Sequence, residues 1–335
     1  MLFRSSMQYM HRVLSDVEIP DNAGVAIEFK IPYTSRRVDF IISGRNDAHD
    51  TVVIVELKQW ETVEAVYGKE AIVRTVFQHG MAETTHPSYQ AWSYAALIKD
   101  YNENVQTGAI QIFPCAYLHN YSKRENGDPL TDPVYSHYIN EAPVFAKGQS
   151  ADLRSFIKRY IKYGDNKENL YRIEHGRLRP SKSLQDCLSR MLQGNEEFRM
   201  IDDQKVVYEE AISMARHAVR TNRKHVLIVK GGPGTGKSVL AVNLLVQLTK
   251  LGLVCQYVTK NAAPRHVYAA KLKQDFRKGN IDNLFQSSGS YIDAPCNEFD
   301  ALIVDESHRL NEKSGMFQNL GENQIKEIIH AAKAS

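Results

Sequence analysis

Hydrophobic and polar positions follow two different periods along this chain. The runs VAIEFKIPY (25–33), RVDFIIS (37–43) and TVVIVELKQW (51–60) are rich in β-branched residues and divided by polar turns, so they predict successive strands. SYQAWSYAALIKDYN (88–102) spaces its apolar residues at helical intervals after Pro87-Ser88, which predicts a helix. AIQIFPCAYL (109–118) and APVFA (142–146) predict two more strands, joined by the turn-rich YSKRENGDPLTDP.

From 151 to 200 the character changes. DLRSFIKRYIKYG predicts an amphipathic basic helix ended by Gly164, and RPSKSLQDCLSRMLQG another ended by Gly194. The polar, turn-rich stretch between them marks a domain boundary. From 202 onward the pattern is helix (DDQKVVYEEAISMARHAVR), strand (HVLIVK, 225–230), glycine-rich loop, helix (KSVLAVNLLVQLTKLG) and strand (LVCQYVT, 253–259). A basic helix (264–278), a strand (ALIVDE, 301–306) and a last helix (ENQIKEIIHAAK) follow. Strands alternating with helices predict a parallel α/β sheet. The expected architecture is therefore α/β throughout, with domains at 1–150 and 201–335 and a helical linker over 151–200.

Composition narrows the class. With 335 residues, 43% hydrophobic and 24% charged, the chain reads as an ordinary globular protein with room for two cores. A net charge of +3 neither demands nor excludes a nucleic-acid partner, because a basic face can hide in a balanced total. No apolar run approaches the ~18 residues that span a bilayer, and the charged N-terminus lacks the apolar core of a secretory signal. Four scattered cysteines without a CxxC pair predict neither a zinc site nor a disulfide framework. His49, His79, His86, His119 and His137 show no HxH or HExxH spacing. A reduced, cytoplasmic protein is expected.

The segment Gly231-Gly232-Pro233-Gly234-Thr235-Gly236-Lys237-Ser238 fits G-x-x-x-x-G-K-[ST], between a predicted strand and a predicted helix. Glycines let backbone N–H groups converge on an anion, and the helix N-terminus adds its positive end. Lys237 is placed to reach the β- and γ-phosphates of ATP, and the Ser238 hydroxyl to ligand Mg²⁺. Further on, ALIVDE ends an apolar run with two acids. Asp305 suits the same Mg²⁺, and Glu306 suits an attacking water. This region, about 178–335, resembles the schlafen-group helicase-like ATPases of superfamily 1. That resemblance implies that Gln204 reads the adenine ring. It also implies that YVTKNAAPR, with Thr259, Lys260, Asn261 and Arg265, meets nucleic acid, and that Asp305-Glu306-Ser307-His308-Arg309 couples ATP to strand movement. The basic helix places Tyr268, Leu272 and Phe276 on one face, leaving Arg265, Lys271, Lys273, Arg277 and Lys278 outward for solvent or for phosphate.

In the N-terminal region, Asp39 lies on one predicted strand and Glu56-Leu57-Lys58 ends the next. Strand alternation puts Glu56 and Lys58 on one face. Two carboxylates beside a lysine suit Mg²⁺ and an activated water for phosphodiester cleavage. Gln90 and Tyr94, four apart, share one face of the following helix. Together these residues resemble RecB-like nucleases of the PD-(D/E)xK fold, a restriction-endonuclease-like α/β domain. The resemblance implies that Asp39 and Glu56 bind metal, that Lys58 is catalytic and that Gln90 and Tyr94 flank the site. It also implies a further acid, for which Glu28 and Glu18 are the candidates. Trp60 and Trp92 are expected to pack.

The combined reading is a Mg²⁺-dependent nuclease joined to a helicase-like ATPase that acts on DNA or RNA, a pairing that suits defence against foreign nucleic acid. An ATP-gated binding protein with an inactive nuclease fold is the alternative, and a small-molecule kinase is disfavoured by the DESHR run. The resemblance to two-domain superfamily 1 ATPases further implies that the parallel sheet is incomplete here. A second RecA-like domain is expected in a longer chain, and this one is expected to hydrolyse ATP slowly.

Overall fold

The computed structural model describes residues 2–32, 36–176, 200–221, 223–272, 284–312 and 322–333. They pack as two units, one formed by the described residues up to 176 with 201–206 and the other by residue 200 with the described residues from 207 on. The predicted helix over 179–194 lies outside the described residues, as does the end of the basic helix beyond residue 272.

In the first unit, β1 (Gly24–Lys30), β2 (Arg37–Arg45) and β3 (Asp50–Lys58) form an antiparallel meander, as the period-two runs predict. After β3 the chain makes a small antiparallel sheet from β4 (Glu64–Ala65), β5 (Ile72–Phe77) and β6 (Gly80–Thr85). It then crosses through α2 (Pro87–Tyr101) to β7 (Ile110–Leu118), which pairs parallel to β3, and reaches β8 (Val144–Ala146). The main sheet has the order β1-β2-β3-β7-β8, with β3 at its centre.

Both faces of β3 are covered. Val53, Val55 and Leu57 pack against Met10 and Val13 of α1 (Leu2–Leu14) and against Leu153 and Ile157 of α5 (Ser150–Tyr160). Val52 and Ile54 face Tyr94, Ala95 and Ile98 of α2 and Leu170 and Ile173 of α6 (Glu168–Glu174). Residues 150–176, placed in a linker by their polarity, thus contribute core side chains to this unit. Helix α5 stops at Tyr160 rather than at Gly164, because Arg45 pairs with Tyr163 and draws the chain back onto β2. Gly44 permits that approach: a Cβ there would lie 2.5 Å from the Tyr163 carbonyl oxygen.

In the second unit, β10 (Phe285–Gln286), β9 (Cys255–Val258) and β11 (Ala301–Val304) form a parallel sheet in that order. Leu240, Leu244 and Leu245 of α8 (Lys237–Lys250) pack with Ile212 of α7 (Asp203–Thr221) and with Cys255, Tyr257 and Phe285. On another side, Ile328 and Ala331 of α10 (Gln324–Ala331) pack with Val258 and Tyr291.

The predicted strand at 225–230 does not form. Residues 223–232 carry neither helix nor strand, and Val226, Leu227, Ile228 and Val229 are exposed, Ile228 at 74%. A β-branched run becomes a strand only beside a ladder partner, and among the described residues none pairs with it. No helix among the described residues is long and apolar enough to cross a membrane.

Candidate functional site

Two sets of polar side chains converge, one in each unit. In the first, the pairing of Phe40 with Val55 carries Asp39 to a place opposite Glu56. An Asp39 carboxylate oxygen accepts the Leu57 N–H at 2.9 Å, which ties the two strand ends together. Glu56 and Lys58 follow Val52 and Ile54 on the face turned toward α2. Glu56 is only 2% exposed, and its Oε1 accepts from the Lys58 ammonium at 2.8 Å. Its Oε2 is buried without a hydrogen-bond partner.

An unmatched buried carboxylate oxygen costs roughly 1–3 kcal/mol or more, and the site relieves this by favouring protonation. Burial, reinforced by Asp39 and opposed by Lys58, pushes the Glu56 carboxyl up to about 8. Burial alone would lower Lys58, but the carboxylates of Glu56, Asp39 and Asp202 outweigh it and hold the ammonium above its ordinary range. The ammonium also lies 5.5 Å from the centre of the Trp60 ring, while Trp60 itself packs against the Val63–Leu118 cluster.

Helix α2 presents the other partners. His86 precedes it, its Nε2–H donating to the Leu130 carbonyl at 2.9 Å and its Nδ1 accepting the Ser88 N–H at 3.2 Å. Complete burial pushes that imidazole down to about 4. Four residues on, the Gln90 amide donates to the Tyr94 hydroxyl at 3.1 Å, and Tyr94 donates to the Asp202 carboxylate at 2.9 Å. Burial and the nearby Glu56 and Asp202 carboxylates raise the Tyr94 phenol. Asp202 also pairs with Arg36 at 2.9 Å, and burial raises its carboxyl.

Of the two acids nominated from the sequence, Glu28 lies across from Asp39, between the Ile27–Phe40 and Phe29–Val38 pairs of β1 and β2. Glu28, at a left-handed position (φ +50°), pairs with Arg37, and Glu18 pairs with Lys158 of α5. The fold also brings in Asp202, 146 residues beyond Glu56 in the sequence, beside Tyr94 and Arg36. No local period betrays it, since it belongs to the lead-in of α7. Among the described residues no group of three or more His, Cys, Asp or Glu side chains is close enough to hold an ion. Asp39 and Glu56 are thus a two-carboxylate set. That suffices for Mg²⁺, which commonly takes one or two protein carboxylates and completes its shell with water and substrate phosphate. The unmatched Glu56 Oε2 is a donor atom fit for that purpose.

In the second unit, Gly234 (φ +71°) and Gly236 (φ +82°) bend the loop through conformations that L side chains resist, and α8 begins at Lys237. The Lys237 ammonium folds back to donate to the carbonyls of Gly231 (2.8 Å) and Gly232 (2.7 Å). The Thr235 hydroxyl also donates to Gly232, at 2.9 Å. Ser238 donates to Asp305 Oδ2 at 2.9 Å, joining positions 67 apart in sequence. Tyr257 donates to the same oxygen at 2.5 Å, and burial together with that carboxylate raises its phenol. Glu306 sits at φ +55° just past β11, facing His308 (3.3 Å) and Arg309 (3.8 Å).

The remaining sequence candidates have local duties. Thr259 is buried and its hydroxyl accepts the Asn261 N–H, while Asn261 receives the Ala263 N–H at the start of α9 (Ala262–Leu272). Lys260 donates to Asn311 at 2.7 Å. Arg265 keeps one guanidinium nitrogen, Nη1, buried without a hydrogen-bond partner, and Tyr268 is in the core. Gln204, in the first turn of α7, accepts the Ile201 N–H at 3.3 Å.

Comparison with known proteins bears on the second unit. Searches of curated proteins and of solved structures gave no match. Residues 224–335 match the family described as Schlafen group 3, DNA/RNA helicase domain, a segment that carries the glycine-rich loop 231–236, β9 to β11 and the DESHR run and leaves out the Asp39–Glu56–Lys58 set. Over that segment the chain is similar to a schlafen-type helicase domain.

Proposed function

We propose that this chain is an ATP-dependent nucleic-acid-processing protein whose second unit binds Mg²⁺-ATP and whose first unit cuts DNA or RNA. The observation that carries the reading is the hydrogen bond from Ser238 to Asp305, which brings the loop hydroxyl and the strand-end acid into one place. These are the ligand types that hold Mg²⁺ in P-loop NTPases. The first unit is read as a restriction-endonuclease-like domain and the second as part of a RecA-like one.

In the second unit, Mg²⁺ bound at Ser238 and Asp305 would neutralise charge on the β- and γ-phosphates. Lys237 exchanges the Gly231 and Gly232 carbonyls for phosphate oxygens, a stronger charge-assisted contact. Glu306 orients the attacking water and accepts its proton, with His308 and Arg309 beside it to register that event. In the first unit, a divalent ion at Asp39 and Glu56 would lower the pKa of a bound water. Glu56 must give up its proton for this, and Lys58 then places its charge against the phosphate. Gln90 and Tyr94 line the approach.

The test is nucleotide titration and strand cleavage by the intact chain. Lys237→Ala should weaken ATP binding at least about tenfold, whereas Glu306→Gln should bind ATP and fail to turn it over. Wild-type chain with Mg²⁺ or Mn²⁺ should cut at least one of single-stranded or duplex DNA or RNA. Equal loss of binding in both variants would remove the assigned roles, and an inert chain across the whole substrate panel would remove the nuclease.

A further inference from the structure

Asp202 is held in a way that helix formation does not explain. Its carbonyl oxygen starts the ladder of α7 by accepting from Lys205 (2.9 Å) and Val206 (3.2 Å). An aspartate in that place ordinarily turns its carboxylate onto first-turn N–H groups. Here the carboxylate turns instead to Tyr94 and Arg36, and Oδ1 stays buried without a hydrogen-bond partner. The backbone at Asp202 is left-handed (φ +47°), a conformation that non-glycine residues seldom adopt and that aspartate enters at less cost than most. A forgone cap, an unmatched oxygen and a strained backbone are retained together only where the surroundings impose them, and such positions gather at functional sites.

What the carboxylate touches is the flank of the Asp39–Glu56–Lys58 set. Tyr94 accepts from the Gln90 amide and donates its own O–H to Asp202, so the carboxylate fixes the direction of the phenol. Lys58 feels the charge of Asp202 as well as those of Glu56 and Asp39. Because no three acids among the described residues are close enough to share an ion, Asp202 is given no ligand role beside an ion held by Asp39 and Glu56.

We propose that Asp202 is a positioning residue of the nuclease site, locking the Gln90–Tyr94 pair over Glu56 and Lys58. This rests on the nuclease reading given above. The device has a particular signature, since the residue that orders the site also strains the fold. Replacing Asp202 with glycine removes the strain and the carboxylate at once.

The experiment compares intact wild-type chain with Asp202→Gly, Asp202→Asn, Tyr94→Phe, the Tyr94→Phe/Asp202→Gly double variant and Glu56→Ala. It reads cleavage kinetics, unfolding midpoint and calorimetric Mn²⁺ affinity. Asp202→Gly should unfold no earlier than wild type and bind Mn²⁺ within about twofold, yet lose roughly 10–100-fold in kcat with KM unchanged, as for outer partners of metal sites. Asp202→Asn tolerates the left-handed backbone and keeps an acceptor for Tyr94, so it should recover part of the loss. Because both changes break one link, the double variant should be no slower than the worse single variant.

Wild-type cleavage by Asp202→Gly, or losses that multiply in the double variant, would overturn the proposal while leaving the nuclease intact. Loss of Mn²⁺ affinity equal to that of Glu56→Ala would overturn it by making Asp202 a ligand. A wild-type chain that cuts nothing would instead sink the nuclease reading, and this proposal with it.

Discussion

The two candidate sites keep their charges in opposite ways. Glu56 and Lys58 sit at the end of β3, a strand paired on both edges and covered on both faces, with Asp39 across from them on β2. Glu56 and Lys58 are therefore desolvated before any ligand arrives. The glycine-rich loop before α8 lies on the surface, and Lys237 is occupied with the loop's own carbonyls. The first arrangement stores its electrostatics in the fold. The second keeps donors in water and commits them only when an anion displaces the internal acceptors. Charge in the first site is therefore expensive to move, while charge in the second is ready to exchange.

The largest effect should come from the buried site. Lys58→Ala should reduce cleavage by at least about 10²-fold, the scale on which one preorganised electrostatic group acts, while Mn²⁺ binding by calorimetry stays near wild type. Glu56→Ala and Asp39→Ala should lose both cleavage and metal. Cleavage that survives all three changes would erase the contrast altogether.

The two apolar runs offer the next comparison. Ile54 on β3 is fully buried, whereas Ile228 in the 225–230 run is mostly exposed. Ile54→Ala should cost about 2–5 kcal/mol in denaturant unfolding, and Ile228→Ala should stay within about 0.5 kcal/mol. Comparable losses at the two positions would mean that the 225–230 run is packed after all.

A third effect is acid sensitivity confined to the first unit. His86 is neutral when folded, with its pKa at about 4 against the ordinary 6.5. The unfolded chain takes up a proton there first, so the His86 contribution is complete above pH 6.5 and is lost as pH falls toward 4. The loss amounts to about 3 kcal/mol. His86→Asn, which can still cap α2, should flatten that part of the stability–pH profile.

The smallest effect concerns the Glu56 proton. Because the metal-free carboxyl titrates at about 8, Mg²⁺ or Mn²⁺ binding at pH 7 should release close to one proton. Affinity should then rise with pH and level off above 8. Calorimetry in buffers of different ionisation enthalpy measures the proton count directly. A count near zero at pH 7 would show that Glu56 is already ionised.

Much of this was readable from periodicity, and the exceptions differ in cause. The β1–β3 meander and α2 announced themselves because each buries one regular face or two. The hairpin of β5 and β6 did not, since GMAETT on β6 is short, polar and largely exposed. Helix α1 was overlooked although Met7, Met10, Val13 and Leu14 recur at helical spacing and pack on the core. The run 225–230 failed in the other direction, having strand composition without a strand to pair with. Within the candidate site, Asp39, Glu56, Lys58, Gln90 and Tyr94 were nominated because their spacing is local. Asp202 reaches them only through tertiary folding, which no window of sequence contains.

The central place of β3 also sets a timescale. Its amides are hydrogen-bonded to β2 on one side and β7 on the other, away from solvent, so they should exchange with deuterium only when the whole unit opens. The backbone of Glu56 and Lys58 rides on that strand and opens no more often than it does. If the first unit cuts nucleic acid as proposed, the substrate would meet a backbone fixed during folding, and a flexible single strand would adapt to it more readily than a stiff duplex.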